Sequence, residues 1–156
     1  MIVRKPTFRD AAGIQKLIQH YAERQFMLPR TLGQVAEHLR DFYIAEEDGQ
    51  VIGCGALHLW SDLAEIRSVA VAEATWRKGI GTAILKACLQ EARDLGLKTI
   101  FVLTYQPEFF EKLGFHRVSK DKFPHKIWAD CVNCPHFPNC SEVALTVEVA
   151  DLPAEG

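Results

Sequence analysis

The strongest constraint on the fold of this chain is a crossover that occupies residues 64–103. It begins with an apolar strand, AEIRSVAV, and ends with a second one, TIFVL. Between them apolar residues recur about every 3.6 positions, and Gly96 ends the pattern, as in an amphipathic helix. Two strands joined through such a helix lie parallel in one sheet, with the helix packed on its face.

Antiparallel strands are predicted on both sides of this crossover. The apolar runs at 42–46 and 51–60 flank Asp48-Gly49, which is a hairpin turn signal. Further short strands are predicted at IVRK near the N-terminus and at FHRV and EVALTVEV near the C-terminus. The predicted fold class is therefore α+β, with a central mixed, mostly antiparallel sheet flanked by helices.

Three further helices are predicted from their end signals. Two begin with a reciprocal capping pattern, and the second of these is expected to end near Asp41. The third begins at a proline and ends at a glycine. The residues that give these signals are Thr7 with Asp10, Thr31 with Gln34, and Pro107 with Gly114.

Length and composition limit the class of protein. A chain of 156 residues with 48% apolar content buries one substantial core, so we expect a single domain over 1–156, with an irregular cysteine-containing excursion at 121–141. A formal charge of −2 gives no general attraction for nucleic acid or for a membrane surface. The sequence contains neither a leader pattern nor an apolar span, and its five cysteines form an odd set, so a cytoplasmic location with reduced thiols is expected.

A glycine turn, WRKGIGTAIL, joins the first crossover strand to the helix. Gly79 and Gly81 let a ligand approach the backbone closely, and the amides from Arg77 to Thr82 lie at the positive end of the helix. Arg77 and Lys78 add positive charge. Such a turn fits a diphosphate, although glycine also serves loops that only need to turn. The spacing is neither that of the dinucleotide fingerprint nor that of the P-loop, which disfavours nucleotide hydrolysis.

With the segment FFEKLGF at 109–115, this turn resembles the GNAT family of acyl-CoA-dependent N-acetyltransferases. The phosphate loop of that family reads Gln/Arg-x-x-Gly-x-Gly/Ala after a strand of the AEIRSVAV kind. The resemblance implies the GNAT fold and acetyl-CoA as cosubstrate. It also implies that the two crossover strands splay apart and that pantetheine binds to the backbone of the first. The implied cosubstrate-binding residues are Val69, Ala70, Val71, Arg77, Lys78, Gly79, Ile80, Gly81, Thr82 and Phe110.

Two positions depart from the family pattern. Trp76 occupies the Gln/Arg position of the loop, although backbone amides hold most of the diphosphate. Phe110 occupies the position where the family often has a tyrosine that protonates the leaving thiolate, and phenylalanine donates no proton. Tyr105 is a nearby candidate for the acid, and water is the alternative.

Acetylation of an amine requires that the ammonium group lose a proton first. The resemblance points to Glu65 as the base, because histone acetyltransferases of the family carry a glutamate at this place in the strand. A structural carboxylate paired with arginine is the alternative interpretation of Glu65. His58, on the preceding strand, is the rival base, but a lone histidine among apolar residues is often structural.

The segments MLPRTLGQ, GCGALHLW and LAEIRSVAV resemble the short, stand-alone N-acetylglutamate synthases. This resemblance implies transfer of acetyl to the α-amine of L-glutamate, the first step of arginine biosynthesis. Arg30 and Arg67 would bind the carboxylates and Ser68 would add a hydroxyl. Other acceptors remain open, namely another amino acid, an amine or a protein N-terminus. So does a non-enzymatic acyl-CoA sensor or interaction module.

The cysteine excursion allows two interpretations. Cys131, Cys134 and Cys140 could contribute to a zinc site, but one CxxC and a single later cysteine are a weak signal. The alternative is a set of partly buried thiols, without metal, in a loop that closes over the acceptor pocket. The oligomeric state is open as well, with a homodimer as one option, and so is feedback by arginine.

Overall fold

The helices and strands follow the order that the sequence predicts. The computed structural model describes residues 1–61, 63–76, 78–119 and 142–152. Short 3-10 turns occur at Phe8–Asp10, Leu39–Asp41, Glu73–Thr75 and Val149–Asp151. The helices and strands are β1 (Ile2–Arg4), α1 (Ala11–Ala22), α2 (Leu32–Glu37), β2 (Phe42–Glu47), β3 (Gln50–Trp60), β4 (Leu63–Val71), α3 (Ile80–Asp94), β5 (Thr99–Thr104), α4 (Pro107–Glu111), β6 (His116–Val118) and β7 (Val143–Glu148).

The strands form a mixed sheet with the hydrogen-bonded order β1-β2-β3-β4-β5-β7-β6. β4 and β5 pair in parallel, from Leu63 opposite Thr99 to Ile66 opposite Val102. The pairs β1–β2, β2–β3, β5–β7 and β6–β7 are antiparallel. The predicted parallel crossover and the mostly antiparallel sheet are confirmed.

Most of the predicted end signals form. The Thr31 hydroxyl accepts from the Gln34 amide at 3.1 Å, and the Gln34 side chain accepts from the Thr31 amide at 2.9 Å. Gly49 and Gly96 have positive φ values of 76° and 73°, as their predicted turn and stop require. The second helix is shorter than expected, because α2 ends at Glu37 and a separate 3-10 turn follows.

The chain divides into two compact units. The first comprises Met1–Leu57 with Arg67–Glu91, and the second comprises His58–Ile66 with Ala92–Gly156. The core of the first unit packs α1 and α2 against one face of its strands, and its buried residues are Ala11, Ile14, Ile18, Tyr21, Val35, Phe42, Ile44, Cys54, Ala56 and Ala70.

The second unit has a smaller cluster. Phe101 of β5 and Ala144 of β7 are buried there, and Trp60, Leu63, Leu103 and Val118 pack against them. The β5–β7 ladder places Phe101 opposite Thr146, whose hydroxyl donates to the Ile100 carbonyl at 3.0 Å. Among the helices that the structure describes, none has the length and apolarity needed to cross a membrane.

Candidate active site

The glycine turn of the first unit forms the N-terminus of α3. Gly79 has φ +77°, and its carbonyl accepts the first helical hydrogen bond from the Ala83 amide at 3.0 Å. The amides of Ile80, Gly81 and Thr82 therefore occupy the first turn, where an α-helix supplies no carbonyl partner. Apart from the adjacent residues, no atom of the described part of the chain lies within 4 Å of the place where a Gly79 side chain would begin. This end of α3 has the conformation and the space for an anion.

Two glycines of β3 let α3 lie close to the sheet. A methyl group added at Gly55 would meet Ile84 Cγ2 at 2.9 Å, and one added at Gly53 would meet Ile80 and Ile84 at the same distance. The alternation GCG in β3 places both glycines on the face that carries the helix. The position of the glycine turn at the start of α3 therefore depends on these glycines.

The carbonyl of Val71, at the end of β4, accepts two side-chain hydrogen bonds. Trp76 Nε1 donates to it at 2.8 Å, and the Tyr21 hydroxyl donates to the same oxygen. The two rings stack with centroids 6.4 Å apart and planes inclined by 18°. Both lone pairs of the oxygen are thus used within the first unit, and a ligand could bond to it only by displacing one donor. Sequence reasoning missed this network, because Tyr21 and Val71 are far apart in the chain.

An ion-pair cluster holds the 3-10 turn that precedes the N-terminal end of α3. Glu73 accepts from Arg24 Nη1 at 2.7 Å and lies 3.0 Å from His20 Nε2. The hydrogen bond with His20, helped by the charge of Arg24, lowers the pKa of Glu73. The end of α1 and the residues just after it therefore contact this region twice. His20 and Arg24 pair with the Glu73 carboxylate, and the Tyr21 hydroxyl bonds to the Val71 carbonyl.

The three predicted acceptor-binding residues line one pocket of the first unit. Arg30 lies between α1 and α2, where its carbonyl accepts from Gln15 Nε2 at 3.2 Å. Arg67 and Ser68 lie on β4, and Ser68 has φ +57°, a strained value for a residue with a side chain. The pocket has about 250 Å³ of empty space in total, part of which is open solvent, and it is also lined by Gln34, Val35, His38, Asp41, Phe42 and Ala56.

Two further charged or titratable residues of this pocket were missed by the sequence analysis. His38 Nδ1 and Asp41 Oδ2 lie 3.8 Å apart, at opposite ends of the short turn that follows α2. The pocket thus combines two guanidinium groups with one carboxylate and one imidazole. The His-x-x-Asp spacing at the end of the predicted helix could have suggested that both face the same way.

The predicted base lies in the second unit. Glu65 is 8% exposed, and among the described residues it is the one charged residue that is buried. Its Oε1 accepts from Trp60 Nε1 at 2.8 Å, across the connection between β3 and β4. His58, the rival base, is half-buried and packs edge-on against Trp60 with centroids 4.9 Å apart. A carboxylate that accepts a hydrogen bond from a neutral indole N–H can still accept a proton.

Tyr105, the candidate acid, and Phe110, which occupies the family's tyrosine position, also lie in the second unit. Phe110 is buried and packs edge-on against Phe109 and Phe115 at 5.2 and 5.5 Å, as a core residue does. The hydroxyl oxygen of Tyr105 is buried, one residue past the end of β5. Tyr105 is four residues beyond Phe101, the partner of Glu65 in the β4–β5 register, or about 13 Å along the strand direction. The backbones of Glu65 and Tyr105 therefore lie at different levels of the parallel strand pair.

Several predictions fall outside the described residues. They concern Arg77 in the glycine turn, the excursion at 121–141, and the candidate metal ligands Cys131, Cys134 and Cys140. The described cysteines, Cys54 and Cys88, are free and buried, and burial raises the pKa of each thiol to about 12.

Known proteins are similar to this chain in sequence and in fold. A model of the acetyltransferase (GNAT) family matches residues 8–115. An amino-acid acetyltransferase of Mycobacterium tuberculosis is 45% identical over 121 residues, which are 75% of this chain and 69% of that protein.

Two solved structures are similar to the whole chain. One is a Mycobacterium tuberculosis protein in complex with CoA and NLQ, with a TM-score of 0.83 and 34% identity, covering 95% of this chain and 99% of that one. The other is N-acetylglutamate synthase of Neisseria gonorrhoeae complexed with coenzyme A and N-acetyl-glutamate. It has a TM-score of 0.85 and 26% identity, covering 95% of this chain and 35% of that one.

Proposed function

Because the chain belongs to the acetyltransferase (GNAT) family, whose members take acetyl from acetyl-CoA, we propose that it acetylates the α-amine of L-glutamate by direct transfer. The relatives support an amino-acid acceptor, since one is named an amino-acid acetyltransferase and one structural neighbour was solved with N-acetyl-glutamate. The narrower choice of glutamate depends on the pocket of the first unit.

The observation that carries this choice is the presence of Arg30 and Arg67 in one pocket. A guanidinium group presents paired donors that match a carboxylate, and L-glutamate carries two carboxylates. A monoamine or polyamine would bring positive charge to this pair and would be repelled. The side chain of Ser68, on the same part of β4, would donate to a carboxylate oxygen.

Acetyl-CoA would bind at the N-terminus of α3. The amides of Ile80, Gly81 and Thr82 would donate to its diphosphate, with Lys78 adding charge. The carbonyl of Val71 is occupied by Tyr21 and Trp76, so the contacts of pantetheine with β4 would come from the remaining backbone of Val69, Ala70 and Val71.

In the reaction Glu65 would accept one proton from the substrate ammonium, directly or through water. The neutral amine then attacks the thioester carbonyl, a C–N bond forms, and the C–S bond breaks. The thiolate of coenzyme A leaves with the electron pair of that bond and takes a proton from Tyr105 or from water. The nitrogen loses its second proton as the amide forms, and that proton returns to the group that protonated the thiolate. No covalent intermediate on the enzyme is required.

An acceptor panel tests the proposal. L-glutamate is expected to release free coenzyme A at least tenfold more efficiently than L-glutamine, which has the same shape but lacks one carboxylate charge. Arg30→Gln and Arg67→Gln should each raise the KM for glutamate about 10- to 100-fold while leaving the KM for acetyl-CoA unchanged.

The matched control is Arg93→Gln, at the far end of α3 and outside the pocket. Unchanged glutamate kinetics in both pocket variants would exclude the proposed carboxylate-binding role. Preferential turnover of a polyamine would replace glutamate with a cationic acceptor. Binding of acetyl-CoA without release of coenzyme A to any amine would favour a sensor.

A further inference from the structure

The pocket of the first unit carries charges of both signs. Arg30 and Arg67 supply two positive charges, and Asp41 supplies a negative one beside the imidazole of His38. A carboxylate on the wall of a site would repel the carboxylates of a dicarboxylate substrate at short range, because like charges repel. A site for an α-amino acid has a use for it, because that substrate also carries an ammonium group.

Asp41 is held firmly at the pocket wall. Its amide donates to the His38 carbonyl at 2.9 Å and closes the 3-10 turn Leu39–Asp41. The next residue, Phe42, is buried in the core of the first unit and begins β2. The Asp41 side chain itself is 23% exposed, so it faces the pocket with part of its surface open to a ligand.

We propose that Asp41 binds the α-ammonium group of the acceptor and thereby makes the pocket specific for α-amino acids. The net formal charge of Arg30, Arg67 and Asp41 is the opposite of that of glutamate, which has two carboxylates and one ammonium. His38, 3.8 Å from Asp41, restricts the orientation of the carboxylate. This inference rests on the proposed acceptor and extends it to the group that recognises the amine.

The test compares L-glutamate with glutarate, which has both carboxylates and no amine. Calorimetry on the full chain saturated with coenzyme A measures the dissociation constant of each ligand in a complex that cannot react. In the wild-type protein glutamate should bind more tightly than glutarate, because glutarate leaves Asp41 without an ammonium partner.

Asp41→Asn keeps the shape of the side chain and removes its charge. It should raise the dissociation constant of glutamate about 10- to 100-fold and change that of glutarate by no more than about twofold, so that the preference for glutamate is lost. Asp41→Glu should restore part of the preference. Arg67→Gln should raise the dissociation constants of both ligands by similar factors. Glu37→Gln, which alters an exposed carboxylate of α2 outside the pocket, should change neither.

The outcomes separate the two proposals. If wild-type protein neither binds nor acetylates glutamate, the proposed function fails. If it does both, and Asp41→Asn leaves the ratio of the two dissociation constants unchanged, the role of Asp41 is wrong and the acceptor assignment stands. A general loss of both ligands in Asp41→Asn, with an unchanged melting temperature, would also overturn the role in amine recognition, because it would mark Asp41 as a support for the arginines.

Discussion

The carbonyl of Val71 accepts from both Tyr21 and Trp76, and the free-energy cost of removing each donor can be predicted. Trp76→Phe removes the indole N–H but keeps an aromatic ring stacked on Tyr21, and Tyr21→Phe removes only the hydroxyl. After either change the carbonyl retains one side-chain donor. Each single substitution should therefore cost no more than an ordinary net hydrogen bond, about 0.5 to 1.5 kcal/mol.

Trp76 should lie at the lower end of that range, because its side chain is 55% exposed and water can replace the N–H. If the whole cost appears in cosubstrate binding, 0.5 to 1.5 kcal/mol corresponds to about a 2- to 12-fold weaker affinity for coenzyme A. The double variant removes both donors and leaves a partly buried carbonyl without a side-chain partner. Its cost should exceed the sum of the singles by about 1 kcal/mol or more.

Calorimetric titration with coenzyme A, together with thermal unfolding of the four proteins, completes the cycle. The kinetic comparison uses acetyl-CoA and S-acetylpantetheine, which lacks the diphosphate. If the network serves the phosphate-binding end of α3, the variants should lose efficiency with acetyl-CoA and lose little with the shorter donor. Strictly additive costs in the double variant would show that the two hydrogen bonds are independent. Equal losses of efficiency with both acetyl donors would show that the network does not serve the N-terminal end of α3.

Three further outcomes follow from described contacts. Glu65→Gln, which can still accept from its neighbouring indole, should lower kcat about 10²- to 10⁴-fold in steady-state kinetics with little change in melting temperature. In denaturant titrations Gly55→Ala should lose about 1 to 3 kcal/mol of unfolding free energy through overpacking, whereas the matched Gly33→Ala, with space on an exposed helix, should gain about 0.5 to 1 kcal/mol. The paired guanidinium of Arg4 lowers the pKa of Asp10 below its ordinary 3.8, so the stability that Arg4→Met removes, about 1 kcal/mol, should be present at neutral pH and disappear as the pH falls below about 4.

Signals that act within a few residues were predictable from the sequence. The Thr31–Gln34 cap, the turn at Gly49 and the stop at Gly96 each depend on a side chain or a φ value beside them, and all three form. The α3 crossover was predictable for a similar reason, since its period is local and chain geometry fixes the parallel pairing. The turn before α3 was predictable as well, because Gly79 and Gly81 permit it.

Contacts that join distant segments were not predictable in the same way. The Tyr21 hydroxyl and the Trp76 indole meet at Val71 because α1 packs on the sheet, and no spacing in the sequence encodes that meeting. The end of α2 was misplaced because no strong stop residue marks it. His38 takes φ −105° and ψ 19°, which ends the α-helix and lets the chain turn again. That local change is what brings Asp41 to the pocket.

The acceptor assignment is tested most directly by a competition. Wild-type protein is given labelled acetyl-CoA with equal amounts of L-glutamate, L-glutamine and a polyamine, and the acetylated products are identified by mass spectrometry. N-acetylglutamate is expected to carry the label in at least tenfold excess over the other products, because the other acceptors do not satisfy both arginines. A product mixture in which glutamine or the polyamine is acetylated as readily as glutamate would show that L-glutamate is not the preferred acceptor.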